Sequence, residues 1–156
     1  QIHCLAIYDS EKEETFVFNN NGGDCYPITE GLHWLNSADV IAGHNIIGYD
    51  IPVFRKVYSW FNTDADIVDT LVLSRLYHPN MIDIDHKRKW PRMPLQLYGR
   101  HSLESYGYRL GEYKGEFGKT SDWKEWSQEM QDYCVQDVHV TTKLCEHFRP
   151  YLTRVG

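Results

Sequence analysis

The sequence predicts an α/β domain, a mixed sheet with helices packed on it. Three observations lead there: a strand–turn–strand opening, two short apolar segments that each run into a helical pattern, and one long amphipathic helix near the end. Ile2-His3-Cys4-Leu5-Ala6-Ile7-Tyr8 is apolar-rich, and the polar turn Asp9-Ser10-Glu11-Lys12-Glu13 separates it from Thr15-Phe16-Val17-Phe18. That is the pattern of a β-hairpin. Asn19 through Gly23 reads as a loop, Glu30 to Ser37 as a helix, and Val40-Ile41-Ala42-Gly43 as a short buried strand. From Ile47 to Phe61 apolar residues recur at Ile47, Ile51, Phe54, Val57, Tyr58 and Phe61. These i+3 and i+4 steps describe an amphipathic helix, with Pro52 tolerated in its first turn. Asp66-Ile67-Val68 is a further strand, after which Asp69 caps a helix through Leu71, Leu73, Leu76 and Tyr77 that Pro79 ends.

Met81 to Pro94 shows no period and reads as a loop that carries the basic run His86-Lys87-Arg88-Lys89-Trp90-Pro91-Arg92. Ser102 through Leu110 is a short helix, and Gly111 to Thr120 is Gly-rich and irregular. The last helix is expected from about Ser127 to Phe148, with Met130, Cys134, Val138, Thr141, Cys145 and Phe148 as its inner face. No linker or repeat divides the chain, so residues 1–156 read as one domain. The opening at Gln1, inside a strand-like stretch and without an initiator Met, suggests a fragment, a processed chain or an incomplete record.

Composition narrows the classes. An apolar fraction of 42%, with six Phe, five Trp and eleven Tyr, is ample for a packed interior and excludes a disordered chain. A net charge of −6 argues against holding duplex DNA by electrostatics alone. It is compatible with an enzyme that cuts nucleic acid through metal ions, because such a site needs clustered carboxylates. Cys4, Cys25, Cys134 and Cys145 show no Cys-x-x-Cys spacing, which disfavours a zinc ribbon and makes a reducing, cytoplasmic setting the default. No apolar run reaches membrane-spanning length.

Two motifs carry chemistry. Gly43-His44-Asn45-Ile46-Ile47-Gly48-Tyr49-Asp50 leads from a strand into a helix and puts a carboxylate at the mouth of the sheet, where open α/β folds place ligand sites. The plainer alternative is that Asp50 is a first-turn acid favoured by the helix dipole. Tyr133-Cys134-Val135-Gln136-Asp137 lies inside the last helix, and its i and i+4 members share a face. Alone, that pair reads as a surface acid beside a half-buried phenol. Asp50 on a different element raises the functional reading, since nucleotidyl chemistry gathers acids from separate elements around paired ions. Gly118-Lys119-Thr120 is not a phosphate loop, because the earlier glycine position holds Tyr113. His139 and His147 read as solvated helix residues. The run from Lys87 to Arg92 reads as a solvated loop, with contact to single-stranded DNA by charge and Trp90 stacking as the alternative.

Taken together and in this order, Asn45 with Tyr49-Asp50, and Tyr133 with Asp137, resemble the second and third motifs of the DEDD exonuclease superfamily. Tyr133 stands at the spacing of the tyrosine subtype, and Asp132 occupies the position that histidine takes in the other. Asp69-Thr70-Leu71-Val72-Leu73-Ser74-Arg75-Leu76, His101-Ser102-Leu103-Glu104-Ser105-Tyr106-Gly107-Tyr108-Arg109-Leu110-Gly111 and Tyr133-Cys134-Val135-Gln136-Asp137-Val138 look like the 3′→5′ exonuclease domain of family A DNA polymerases from short-tailed bacteriophages. The resemblance runs along nearly the whole chain.

It implies an RNase H-like fold, two divalent metal ions (Mg²⁺ or Mn²⁺) and hydrolysis of a single-stranded DNA 3′ end. Asp50 and Asp137 would be metal ligands and, with Tyr133, the catalytic residues. Asn45 and His44 would contact the terminal nucleotide, and Asp69 would be a helix cap. It further implies a polymerase domain in the same polypeptide and residence in the host bacterial cytoplasm. The family's first motif, Asp-x-Glu on a central strand before the hairpin, has no counterpart on a strand-like segment here. That strand is expected upstream of Gln1 or from another segment. Its absence motivates a second reading, a catalytically inactive exonuclease-like domain that binds single-stranded nucleic acid or serves as a scaffold. A related exonuclease acting on RNA is a third.

Overall fold

A computed structural model describes residues 2–22, 25–112 and 124–153. The hairpin forms as expected: β1 (Cys4–Asp9) and β2 (Glu14–Asn19) pair antiparallel, with Cys4 opposite Asn19 and Asp9 opposite Glu14. Asp9 closes the turn by accepting from the backbone of Glu11 and Lys12 through Oδ1, at 2.9 and 3.3 Å. Helix α1 (Ile28–Asn36) buries Ile28 and Leu32, one helical turn apart, beneath the hairpin. The approach is close at Gly31. A Cβ there would stand 2.7 Å from Leu5 Cδ2 and 2.9 Å from Phe18 Cδ2, so a larger residue would push helix and hairpin apart.

Strands β3 (Val40–Gly43) and β4 (Asp66–Asp69) pair parallel, Val40 with Asp66 and Gly43 with Asp69. The single mixed sheet expected from the sequence is therefore resolved, among the described residues, into an antiparallel pair and a parallel pair. The β3 strand expected to be buried is so only at Ile41, while Val40 is more than half exposed. Each of β1 and β3 has one hydrogen-bonded neighbour within its sheet. Helices flank both sheets, as the α/β class requires.

The helix expected from Ile47 to Phe61 is shorter and begins differently. A wide turn, Ile46–Asp50, closes with Ile51 N–H on the Ile46 carbonyl and feeds α2 (Ile51–Val57). Pro52 sits in its first turn, as expected. Helix α3 (Thr70–Tyr77) starts at the Asp69 cap. Met81 to Pro94, expected to be a loop, instead contains α4 (Met81–Arg88). Its period was hidden because the inward position one turn after Met81 is Asp85, a fully buried acid. A three-residue 3₁₀ turn (Leu95–Leu97) precedes α5 (Leu103–Arg109), whose Ser102 Oγ accepts from Ser105 N–H at 3.2 Å.

Helix α6 spans Gln128–Thr153, five residues beyond the expected end at Phe148. Its buried stripe is Met130, Val140, Leu144 and Phe148: Met130 and Phe148 as expected, with Val140 and Leu144 in place of the half-buried Val138, Thr141 and Cys145. Stepping that stripe back by i−3 and i−7 from Val140 lands on Asp137 and Tyr133. Two core clusters result. Phe18, Ile28, Leu32, Ile41, Phe54 and Phe61 join hairpin, α1 and α2, whereas Met81, Tyr106, Val140, Leu144 and Phe148 join α4, α5 and α6. Each fully buried large apolar side chain contributes about 1.5–3 kcal/mol.

Candidate active site

Asp69 assembles the first half of the site. Its Oδ1 accepts from Leu71 N–H at 2.9 Å, which is the predicted cap, and also from Asn45 N–H at 2.9 Å, while Oδ2 accepts from Ile47 N–H at 3.1 Å. The parallel register that sets Gly43 beside Asp69 delivers this carboxylate to the turn after β3. Sequence reasoning found the cap and missed the clamp. The signal was non-local, namely which strand β4 pairs with.

Asn45 takes φ 58°, ψ 32°, a left-handed conformation that Asn adopts more readily than most residues. Its side chain then lies over Gly48, where a Cβ would come within 2.5 Å of Asn45 Oδ1. Asn45 is exposed, and so are Ile47, Gly48 and Tyr49, with Tyr49 at 63%. Asp50 ends this turn half-buried.

His44 is held differently. One ring nitrogen, Nδ1, is 2.9 Å from Thr70 Oγ1, and Nε2 is 2.8 Å from the His101 carbonyl oxygen. The carbonyl can only accept, so Nε2 carries the proton and Thr70 donates to Nδ1. Burial, the largest influence, lowers the His44 pKa and favours this neutral form. Behind it, Ser74 Oγ bonds His101 Nδ1 at 2.5 Å and the Tyr106 hydroxyl. Both His44 nitrogens are thus committed within the chain, tying the end of β3 to α3 and to the start of α5.

The second half comes from α6, which packs on β1 at one end and enters the second core cluster toward the other. Met130 and Cys134 lie beside β1, with Cys4 Sγ 2.8 Å from Cys134 Sγ, and Asn19 Nδ2 donates to Gln131 Oε1 at 2.6 Å. On the far side Gln136 donates to the Glu112 carbonyl, and Glu112 pairs with Lys143 and His139. His139, expected to be solvated, is exposed yet bonded, and exposed His147 meets His78 at 2.9 Å between their Nε2 atoms. Between these anchors Asp137 is half-buried, and Tyr133, one turn earlier, lies on the same face of the helix.

Asp50 and Asp137 share an electrostatic field. Burial first, then the charge of Asp50, pushes Asp137 up to about 7. Burial first, then the charge of Asp69, pushes Asp50 up to about 6. Two carboxylates are hard oxygen donors, a donor type that fits Mg²⁺ or Mn²⁺. Among the described residues, no group of three or more His, Cys, Asp and Glu side chains stands together as a metal site. The pair therefore offers two carboxylates rather than a full ligand set.

The basic run beside α4 is partly structural. Trp90 Nε1 donates to Asp85 Oδ1 at 2.8 Å, and the Arg88 guanidinium lies 4.8 Å from the Trp90 ring centre. The Gly118-Lys119-Thr120 segment lies outside the described residues.

What fold and site define is an α/β chain with an acidic pair contributed by a β–α turn and a distant helix. No family model matches the chain. It is 33% identical, over 94% of its length, to the DNA-directed DNA polymerase of Enterobacteria phage T3, and 32% identical, over 94%, to that of Escherichia phage T7. The chain is homologous to part of these phage polymerases. In both cases it spans about a quarter of the relative, 24% of its length. No helix among the described residues is long and apolar enough to cross a membrane.

Proposed function

We propose that this chain is the greater part of a metal-dependent 3′→5′ proofreading exonuclease domain of a DNA polymerase, removing nucleotides from single-stranded or frayed DNA ends. The observation that carries the reading is the Asp50–Asp137 pair. Two carboxylates far apart in sequence meet in one field, and burial and neighbouring carboxylate charge raise the pKa of both. Asp50 and Asp137 would hold divalent cations, which supply Lewis-acid stabilisation of the attacking water and the leaving 3′-oxygen. Tyr133, on the face of Asp137, would orient that water. Asn45, exposed and fixed by Asp69, would contact the terminal nucleotide, and His44 would hold the frame through Thr70 and His101. Phosphate contacts and stacking would give little sequence preference.

Among the described residues β1 and β3 each have a strand neighbour on one side only, which supports the remainder of this reading. A strand entering between them would complete an RNase H-like sheet and could bring the Asp-x-Glu carboxylates to the pair. A polymerase domain in the same polypeptide and a bacterial cytoplasmic setting follow from the same reading. The two-carboxylate site also favours a second reading, binding of single strands without cleavage.

One experiment separates them. The polypeptide containing this chain is incubated with 5′-labelled DNA and RNA oligonucleotides and Mg²⁺ or Mn²⁺. The expected result is shortening of single-stranded DNA from its 3′ end, reduced on the order of 10³-fold by Asp137→Ala. No shortening, or shortening unchanged by that substitution, overturns the exonuclease reading, and binding without shortening supports the second.

A further inference from the structure

We infer that Cys4 and Cys134 form a reversible disulfide site that fastens strand β1 to helix α6. The two thiols are 130 residues apart in sequence, yet their sulfurs are 2.8 Å apart, closer than non-bonded sulfur atoms ordinarily rest. Cys4 is seated against this turn of α6 by a second contact, its Sγ lying 3.9 Å from the Met130 carbonyl oxygen. Asn19, the residue paired with Cys4 across the hairpin, bonds Gln131 on the same turn. Three contacts thus register the end of the hairpin on one turn of the helix, and little movement is needed for the sulfurs to join. The free thiols Cys25 and Cys145 have no such partner sulfur among the described contacts.

The chemistry requires an oxidant, and a low-molecular-weight disulfide such as oxidised glutathione suffices. The Cys4 thiolate attacks one glutathione sulfur, breaking that S–S bond and releasing one glutathione thiolate, which takes up the proton Cys4 has lost. Cys134 then attacks Cys4 sulfur, gives up its own proton and displaces the second glutathione. The chain loses two protons and two electrons, which glutathione disulfide takes up to become two thiols. A hydrogen bond from Cys134 holds the Cys4 thiol below its ordinary range, which suits Cys4 to the first attack.

The consequences follow from position. Closing so long a loop restricts the unfolded chain strongly, so oxidation stabilises the fold. Cys134 lies between Tyr133 and Asp137, so the bond would also fix that stretch of α6 against β1 in whatever role it serves.

The polypeptide containing the chain is exposed to oxidised glutathione under native conditions, remaining thiols are alkylated, and digests are mapped by mass spectrometry. The expected product joins the Cys4 and Cys134 peptides with loss of two hydrogens, leaving Cys25 and Cys145 alkylated or glutathionylated. The melting midpoint rises by several degrees, returns after dithiothreitol, and does not move in Cys134→Ser. Recovery of Cys4 and Cys134 as separate alkylated or glutathionylated peptides from folded protein overturns the proposal. So does a cross-link that forms equally well in denaturant. Neither outcome depends on nuclease activity.

Discussion

Two acidic centres in this chain, one fully buried and one half-buried, show opposite solutions to one electrostatic problem. Asp85 is fully buried, yet each of its oxygens has two donors: Trp90 Nε1 at 2.8 Å and Arg109 Nε at 2.9 Å on Oδ1, Gly99 N–H at 2.8 Å and Arg109 Nη2 at 2.6 Å on Oδ2. Burial alone would raise its pKa, but the Arg109, Gly99 and Trp90 hydrogen bonds prevail and hold the carboxyl below its ordinary value. Asp50 and Asp137 are less buried and are pushed up, to about 6 and about 7. The fold completes one centre from its own residues, whereas burial and carboxylate repulsion leave the other favouring protonation. On the proposed reading, the difference separates an acid that serves the fold from two that would serve a site.

Removing the architecture should cost most. Arg109→Met leaves Asp85 buried with two of its four donors gone, and should destabilise the chain by about 3–5 kcal/mol, measured by urea unfolding. A loss under 1 kcal/mol would mean that Asp85 is not the keystone of α4, α5 and the Gly99 turn.

The acidic pair should respond in the opposite direction. Asp50→Asn and Asp137→Asn should each stabilise the fold at pH 8 by about 1–3 kcal/mol, because each removes an ion that folding partly desolvates. The sign is set by linkage: raised native pKa values mean the folded chain holds more protons than the unfolded one between about pH 4 and pH 7. Stability attributable to this pair therefore falls as pH rises through that window, and the gain from Asn vanishes below it. Asp85 contributes with the reverse sign, present above the unfolded carboxylate value and lost as pH falls through its lower native one. Unfolding curves of wild type and the two Asn variants from pH 4 to 8 would check both signs.

Smaller effects test the frame around the pair. Gly48→Ala places a Cβ against Asn45 Oδ1, and should weaken binding of single-stranded DNA about tenfold while altering stability by less than about 1 kcal/mol. Fluorescence anisotropy with a labelled oligonucleotide reads the first, and thermal melts the second. His44→Gln should lower stability by about 1–2 kcal/mol through the lost Thr70 and His101 bonds, and unfolding curves check that magnitude.

Local elements were legible in the sequence, and non-local ones were not. The hairpin, the Asp69 cap and the existence of α6 follow from patterns within a few residues. Helix α4 was missed because Asp85 occupies a core position, so hydrophobic periodicity fails where the interior uses an ion pair. The middle of the α6 face differs for a related reason: Val138, Thr141 and Cys145 look like part of the stripe with Met130 and Phe148, but the more apolar Val140 and Leu144 take the interior. That true stripe, continued backward, would have pointed to Asp137 and Tyr133 independently of any motif. Asp69's grip on Asn45 and Ile47 depends on strand register, and His44's partners lie on two other elements; neither is encoded locally.

The central claim is that Asp50 and Asp137 form one cation-binding centre. Its most direct test is Mn²⁺ binding, followed by electron paramagnetic resonance, to the polypeptide containing this chain and to its Asp50→Asn and Asp137→Asn variants. Affinity should rise with pH until about 7, as both carboxylates lose their protons, and each substitution should weaken it at least tenfold at pH 8. Mn²⁺ binding that is indifferent to pH and unchanged in both variants would contradict the claim.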